Sequence, residues 1–335
     1  MKNTKLYRLL AVLLVLTLFA AACGSDEADD GSASGGDGDG QTDDGGDSGD
    51  GGDSGDGGDS GDGGDSGDGG DDGGDEPVDV TQGGILAQVQ ARGVINCGIP
   101  TSAVAFAQQD ANGVWQGFDI DYCRAVAAAV FGDADAVNFV PLTAAERFTA
   151  VQVGEVDLLM RTTTWTQGRD ASGDQGMDFG PTTYYDGQQM AGRRSQGFSE
   201  DSTVADIDGL NVCTNAGTTT EKNISDAVAA AGGSFTLIQA DDIPTAVAAF
   251  VAGSCDIFTT DGSGVAGEAF TNEDNADGDW VVFPAQPISK EPLGPVYPQN
   301  DSEWGDIINW TVFATIIADE KGITQANASA RLAEE

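Results

Sequence analysis

Two hydrophobic periods alternate along most of this chain. Short apolar runs at residues 94–99 ("VINCGI"), 137–142 ("VNFVPL") and 156–160 ("VDLLM") predict buried strands. Between the first two, residues 119–132 place Ile120, Cys123, Val126, Ala127 and Val130 on one helical face, with Gly132 where a helix C-terminus favours glycine. Residues 142–154 ("LTAAERFTAVQVG") predict another helix. The order then begins again. Residues 210–215, 235–239, 255–260 and 280–284 predict strands, and "DAVAAAG" and "IPTAVAAFVAG" predict helices, the second with Ile243, Val247, Phe250 and Val251 in one stripe. Residues 302–322 predict a long closing helix carrying Trp304, Ile307, Ile308 and Val312. Strands alternating with helices imply an α/β fold with mostly parallel sheets flanked by helices.

A short duplication divides that fold. "AVQVGEVDLLMRTT" and "AAFVAGSCDIFTTD" both run helix, glycine, two residues, aspartate, strand, so that Gly154 and Asp157 correspond to Gly253 and Asp256. Two such units predict two lobes. Each unit ends in polar residues at the C-terminal end of a parallel strand, the edge where open α/β sheets bind ligands. Two such edges facing each other make a cleft.

The first 80 residues follow neither period. Lys2, Lys5 and Arg8 precede an apolar run at residues 9–22 that is short for a membrane span and reads as an export signal. "AAAC" puts Cys23 where bacterial lipoproteins carry their lipid; simple cleavage after Ala22 is the other reading. Residues 24–80 are almost entirely Gly, Asp and Ser, with "GGDSGD" in four tandem copies from Gly45 to Asp68. They hold too little apolar surface to offset chain entropy, so a solvated tether is expected. A calcium-binding β-helix needs a nine-residue repeat with an aliphatic position, which this repeat lacks. The expected organisation is a signal peptide at 1–22, a tether at 23–80, a first lobe at 81–190 and 293–335, and a second lobe at 191–292.

The formal net charge is −42. The tether takes 21 of the 56 acidic residues, and residues 81–335 still carry 35 acids against 11 Lys plus Arg. Nucleic acid and anionic lipid surfaces are therefore poor partners. The chain has no histidine, which removes histidine-dependent catalysis and histidine metal sites. No C-x-x-C spacing exists, and neither a metal nor a cofactor is expected. Besides Cys23, Cys97, Cys123, Cys213 and Cys255 allow three disulfide pairings outside the cytoplasm. The duplication favours Cys97–Cys123 and Cys213–Cys255, because each bridge then stays inside one lobe.

Three stretches carry candidate chemistry. In "DLLMRTTTWTQGRD", Arg169 offers a rigid fork for a carboxylate, with Thr162 and Thr164 as further donors, or else it is a surface arginine paired to Asp170 or Asp174. In "NAGTTTEKN", Gly217, Thr218 and Thr219 lead into a helix whose N-terminus suits an anion, or else form an ordinary cap with Glu221. Asp261 ends "FTTD" and is placed to bind an ammonium group or to cap a helix. Trp165 interrupts a polar turn, as a pocket wall does. Together these groups complement a zwitterion.

The long motifs "GFDIDYCRAVAAAVFGDA", "VPLTAAERFTAVQVGEVDLLMRTTTWT", "TYYDGQ", "AGTTTE", "CDIFTTDGSG" and "ISKEPLGP" resemble the substrate-binding proteins of polar amino-acid ABC importers, and among them the general L-amino-acid-binding branch. The resemblance runs from about Gly84 to Ala326. It implies a two-lobed, periplasmic-binding-protein-like fold, with hinge crossings expected near Gln188–Gly192 and Leu293–Tyr297. By position it implies that Arg169, Thr164 and the backbone of Thr162 hold the ligand α-carboxylate. Gly217, Thr218 and Thr219 would hold it from the other lobe, and Asp261 would hold the α-ammonium. The implied partners are an L-amino acid and a membrane permease with its ATPase. The protein is expected to be exported, as a monomer in the periplasm or lipid-anchored on the outer face of the cytoplasmic membrane.

Three departures stand out. Ala103 falls where histidine-type binders stack an aromatic on the ligand, which implies a roomier pocket. Arg161 replaces a small polar residue, which implies a lean toward acidic or amide side chains. Members of the branch also run on for tens of residues beyond the position of Glu335, in a segment that supplies a C-terminal helix against the first lobe, so either a shortened but working binder or a truncated product with an exposed apolar patch is expected. Two other functions fit the same fold: an enzyme similar to cyclohexadienyl dehydratase, and a sensory subunit for a separate signalling partner.

Overall fold

The structure is a computed structural model that describes residues 84–171 and 176–332. The signal, Cys23, the tether and Asp174 lie outside the described residues.

The chain builds the first sheet, crosses to build the second, and returns. Helix α1 (Ile85–Arg92) leads into β1 (Ile95–Pro100). The small hairpin β2 (Gln108–Gln109) and β3 (Trp115–Gln116) precedes α2 (Phe118–Phe131), β4 (Val137–Leu142), α3 (Arg147–Gln152), β5 (Leu158–Leu159), the short α4 (Gln167–Asp170) and β6 (Met177–Phe179). After β7 (Tyr184–Asp186) come β8 (Gln188–Arg193), β9 (Asn211–Asn215), α5 (Thr219–Ala230), β10 (Thr236–Ala240), α6 (Ile243–Val251), β11 (Ile257–Asp261), α7 (Gly262–Thr271) and β12 (Trp280–Phe283). The return runs through β13 (Glu291–Leu293) to β14 (Val296–Pro298), α8 (Ser302–Glu320) and α9 (Ala328–Leu332).

The two sheets repeat one plan. Their strand orders are β4-β1-β5-β14-β6 and β10-β9-β11-β8-β12. In each, the first three strands are parallel and the fourth is antiparallel to its neighbours. Both faces of each sheet are covered, which is why the central strands β1, β5 and β11 are rich in buried apolar residues. In the first lobe Ile95, Cys97 and Ile99 pack with Ile120, Trp304 and Ile308, while Leu142, Leu159 and Val296 pack with Phe148 and Phe179 on the other side. In the second, Phe258 and Trp280 pack with Phe250, and Val212, Ile257 and Phe283 pack with Ile224 and Phe198. Each fully buried side chain of this kind contributes about 1.5–3 kcal/mol. Trp310, Phe313, Ile316 and Ile317 on α8 are exposed instead.

The duplicated motif does the same work in both lobes. Gly154 and Gly253 follow α3 and α6 with φ of 74° and 71°, a left-handed turn that a side chain disfavours. Three residues later the aspartate bonds the start of the neighbouring strand. Asp157 Oδ2 accepts from Asn96 N at 2.7 Å, and Asp256 Oδ2 accepts from Asn211 N at 2.9 Å. Each carboxylate thus sets the register at which a parallel strand enters its sheet. Asp157 is also paired with Arg92.

Cys97–Cys123 ties β1 to α2, and Cys213–Cys255 ties β9 to the turn just before β11, with Cα–Cα distances of 6.1 and 5.8 Å. Bridges closing loops of this length contribute about 2–4 kcal/mol each.

One expectation about the path changes. Gln188–Gly192 was expected to be a crossing, yet it belongs to β8, which lies between β11 and β12 in the second sheet. Its Gln-Gln-Met-Ala-Gly sequence hides a strand because neighbours on both sides supply its ladder. The two passages between the sheets run side by side as an antiparallel ribbon, with Asp186 opposite Glu291 and Tyr184 opposite Leu293.

Candidate functional site

The C-terminal ends of the parallel strands of both sheets face one cleft. Pro100 ends β1 and Thr101 and Ser102 follow it, while Arg161, Thr162, Thr164 and Arg169 follow β5. From the second lobe come Asn215 at the end of β9, Thr218 to Thr220 at the start of α5, Ile243 at the start of α6, and Thr260 and Asp261 at the end of β11. Arg147 on α3 completes the lining.

The end of β5 explains itself from the residues upward. Met160 N still bonds Gly98 O at 2.8 Å, the last ladder bond on that side. Thr162 then turns left-handed, with φ of 41°, an uncommon conformation for a β-branched residue. The buried carboxylate of Asp119 holds this turn by accepting from Thr162 N at 2.9 Å. Burial pushes Asp119 up to about 7, against that hydrogen bond and the nearby Arg161.

The structure brings most of the expected residues together, with their groups differently employed. Arg169 is buried, and its Nη1 donates to Thr164 O at 2.7 Å, which aims the fork. Thr162 lines the cleft, but its amide is already taken by Asp119. Thr164 donates its hydroxyl to Glu291 Oε2 at 2.6 Å and lies 3.4 Å from the Thr219 hydroxyl across the cleft. Arg161 is buried, lines the cleft, and donates from Nε to Leu142 O at 3.0 Å. Asp170 makes no ion pair with Arg169; among the described residues no ion pair includes Arg147, Arg161 or Arg169.

In the second lobe, Thr218 is the N-cap of α5 and accepts from Glu221 N at 3.1 Å, while Gly217 N donates to Glu221 Oε2 at 2.7 Å. The capping alternative therefore holds for these two groups, and Gly217 does not line the cleft. Asp261 shows the opposite outcome. It precedes α7 but makes no side-chain cap bond, and its Oδ1 is buried without a partner. Burial, then Asp186 and Glu291, push its carboxyl well above the usual range, opposed by Arg169 and Arg147. A cation placed against it would reverse that shift.

Trp165 corrects the expectation of a pocket wall. Its ring stacks on Phe179, with centroids 5.6 Å apart and planes 3° from parallel, and the residue is 40% exposed outside the cleft lining. Its backbone donates to Pro292 O, so its role is to fasten the turn to β13. Ala103 lines a second cavity with Val104, Phe106, Ser263, Gly264 and Glu268, and this cavity shares Thr162, Ile243, Thr260 and Asp261 with the main cleft.

Three buried guanidiniums without a carboxylate in ion-pair range are costly to maintain. Burial brings Arg161 and Arg169 down to about 10. It drives Arg147 well below its ordinary value, helped by repulsion from Arg161 and Arg169. Such a cleft is built to receive an anion on one side and, at Asp261, a cation on the other.

Arg147 and Asp119 were not singled out from the sequence, although both left a signal. Arg147 sits in the first turn of a helix, where the macrodipole disfavours a cation. Asp119 lies four and seven residues before Cys123 and Val126, on the buried face of α2.

Residues 95–321 match the bacterial extracellular solute-binding proteins, family 3. The chain is 45% identical over 242 residues to the general L-amino acid-binding periplasmic protein AapJ of Rhizobium johnstonii, covering 72% of this chain and 69% of that one. It is equally identical, over the same shares, to the glutamate/glutamine/aspartate/asparagine-binding protein BztA of Rhodobacter capsulatus. Among solved structures, a periplasmic binding protein of Brucella ovis with glutathione bound superposes with a TM-score of 0.68 at 43% identity, over 73% of this chain and 74% of that one.

Proposed function

The chain belongs to the bacterial extracellular solute-binding proteins, family 3, and from that premise we propose that it captures an L-amino acid between its lobes and delivers it to the permease of an ABC importer. The observation that carries this reading is the pairing, in one cleft, of buried unpaired guanidiniums with the unpartnered carboxylate of Asp261. Arg169 takes the α-carboxylate, with help from the Thr219 end of α5, and Asp261 takes the α-ammonium. Thr164 acts through Glu291 and Asn223, since Glu291 Oε1 accepts from Asn223 at 2.7 Å. Bound ligand favours the closed arrangement by touching both lobes at once. The excess of guanidinium over α-carboxylate favours acidic or amide side chains, as in the name of the Rhodobacter relative.

A thermal-shift panel of the twenty amino acids tests this. Glutamate, glutamine, aspartate and asparagine are expected to raise the melting temperature, and a larger shift from leucine or lysine would overturn the side-chain preference. Prephenate and arogenate added to the same protein are expected to remain unconverted; turnover of either would favour the enzyme reading. A second ligand class is worth testing because the cavity beside Ala103 continues the cleft past Asp261, so a ligand longer than a single amino acid would extend toward it. Glutathione, held by the Brucella relative, belongs in the panel for that reason.

We also propose that the protein is exported and held at the outer face of the cytoplasmic membrane by lipid on Cys23. Cys23→Ser is then expected to move it from the membrane fraction to the soluble one. An unchanged distribution would sink the anchor.

A further inference from the structure

Arg147 stands apart from the other two cleft arginines. It occupies the first position of the six-residue helix α3 and is only 2% exposed. Its guanidinium lies over the Phe148 ring, 4.6 Å from the centroid, a ring it shares with Arg169 at 5.3 Å. One nitrogen crosses the cleft and donates to Gly217 O of the second lobe at 3.2 Å. Its Nε is buried without any partner, and among the described residues it is the one guanidinium nitrogen of which that is true.

The other two are better provided for. Arg161 spends its Nε on Leu142 O and faces the Asp119 carboxylate. Arg169 is aimed by Thr164 O and is assigned the α-carboxylate. One α-carboxylate cannot neutralise three guanidiniums. The position left with both an unsatisfied donor and an uncompensated charge is Arg147. A neutral side-chain amide would satisfy Nε with its oxygen. It would bring no charge, and its NH2 would compete with a field of donors. A second carboxylate satisfies donor and charge together.

We propose that Arg147 binds the side-chain carboxylate of a dicarboxylic amino acid and, through its bond to Gly217 O, couples that contact to closure of the two lobes. This rests on the amino-acid reading above. Arg147 thereby selects acids over their amides, and the acid is the ligand that fastens α3 to the second lobe.

The test is calorimetry on the full chain with glutamate, glutamine, aspartate and asparagine, for the wild type, Arg147→Lys and Arg147→Met, with small-angle scattering of each complex. The wild type is expected to favour each acid over its amide by about tenfold or more, and Arg147→Met to lose about 100-fold for the acids but under about tenfold for the amides. Arg147→Lys, which keeps the charge and loses the fork, is expected to fall between and to guard against a Met variant that fails to fold. Scattering is expected to show compaction with glutamate in the wild type and less in the variants. Equal losses for acids and amides would mean a merely structural latch and would overturn the inference. Wild-type protein that binds none of the four would instead overturn the proposed function itself.

Discussion

Arg169→Ala is expected to abolish measurable amino-acid binding while the protein still folds. Arg169 is 8% exposed, and its fork is aimed by the bond from Nη1 to Thr164 O at 2.7 Å. Removing it leaves a ligand carboxylate buried against amides and hydroxyls alone. Truncating one partner of a buried charged hydrogen bond costs about 2–5 kcal/mol, roughly 30- to several-thousand-fold in affinity. The fold should survive because the change also removes one of three mutually repelling cations, as the effect of Arg169 on Arg147 and Arg161 indicates. Arg169→Lys keeps charge without the planar fork and is expected to be intermediate. Calorimetry with the best ligand of the panel, alongside a thermal melt, decides the matter. Wild-type affinity in Arg169→Ala would remove Arg169 from the site.

The second large effect is on stability. Asp119→Ala is expected to destabilise the protein by about 3–5 kcal/mol, because it strands the Thr162 amide and leaves Arg161 without its facing carboxylate. That corresponds to a drop of about 10 °C in melting temperature. Asp119→Asn keeps an acceptor for Thr162 and separates charge from hydrogen bonding. The sign of the pH dependence follows from the raised pKa. Asp119 titrates at 3.8 when exposed and at about 7 in the folded protein, so between those values the folded state holds a proton that the unfolded state has lost. This group's contribution is fully present below the lower value and declines as pH rises toward about 7. Melts across that window should show a shallower decline in Asp119→Asn than in the wild type. Identical slopes would show that Asp119 does not titrate there.

The parallel cores were readable because both faces of each sheet are covered, so apolar residues dominate β1 and the Leu158–Leu159 pair of β5. Even the register device was visible, since Asp157 and Asp256 stand at the same distance from a glycine in both lobes. Of the sheet strands that pair only antiparallel, β12 was legible as the apolar run at residues 280–284 and the others were not. Strand β8 is polar at both ends and owes its form to β11 and β12, and β6, β7, β13 and β14 are three residues each, too short to show a period. The site divides the same way. Arg161, Arg169, Thr219 and Asp261 were legible because they follow strand ends. What those groups do with their hydrogen bonds was not. The claim of Asp119 on Thr162, of Glu291 on Thr164 and of Glu221 on Gly217 are contacts across long or turned stretches that spacing does not reveal. Trp165 misled because an aromatic in a polar turn has two good uses, and here it packs on Phe179.

The arrangement of the cysteines has a practical side. All four in residues 84–332 are consumed in bridges, and each bridge closes within a single lobe. Covalent bracing therefore stiffens two bodies without tying them together. It also leaves this region with no spare sulfhydryl. A pair of thiols introduced at exposed sites, one on either side of the cleft mouth, would be the only reactive ones there and would accept two dyes cleanly. Opening and closing would then become a distance that fluorescence transfer follows in single molecules, one amino acid at a time.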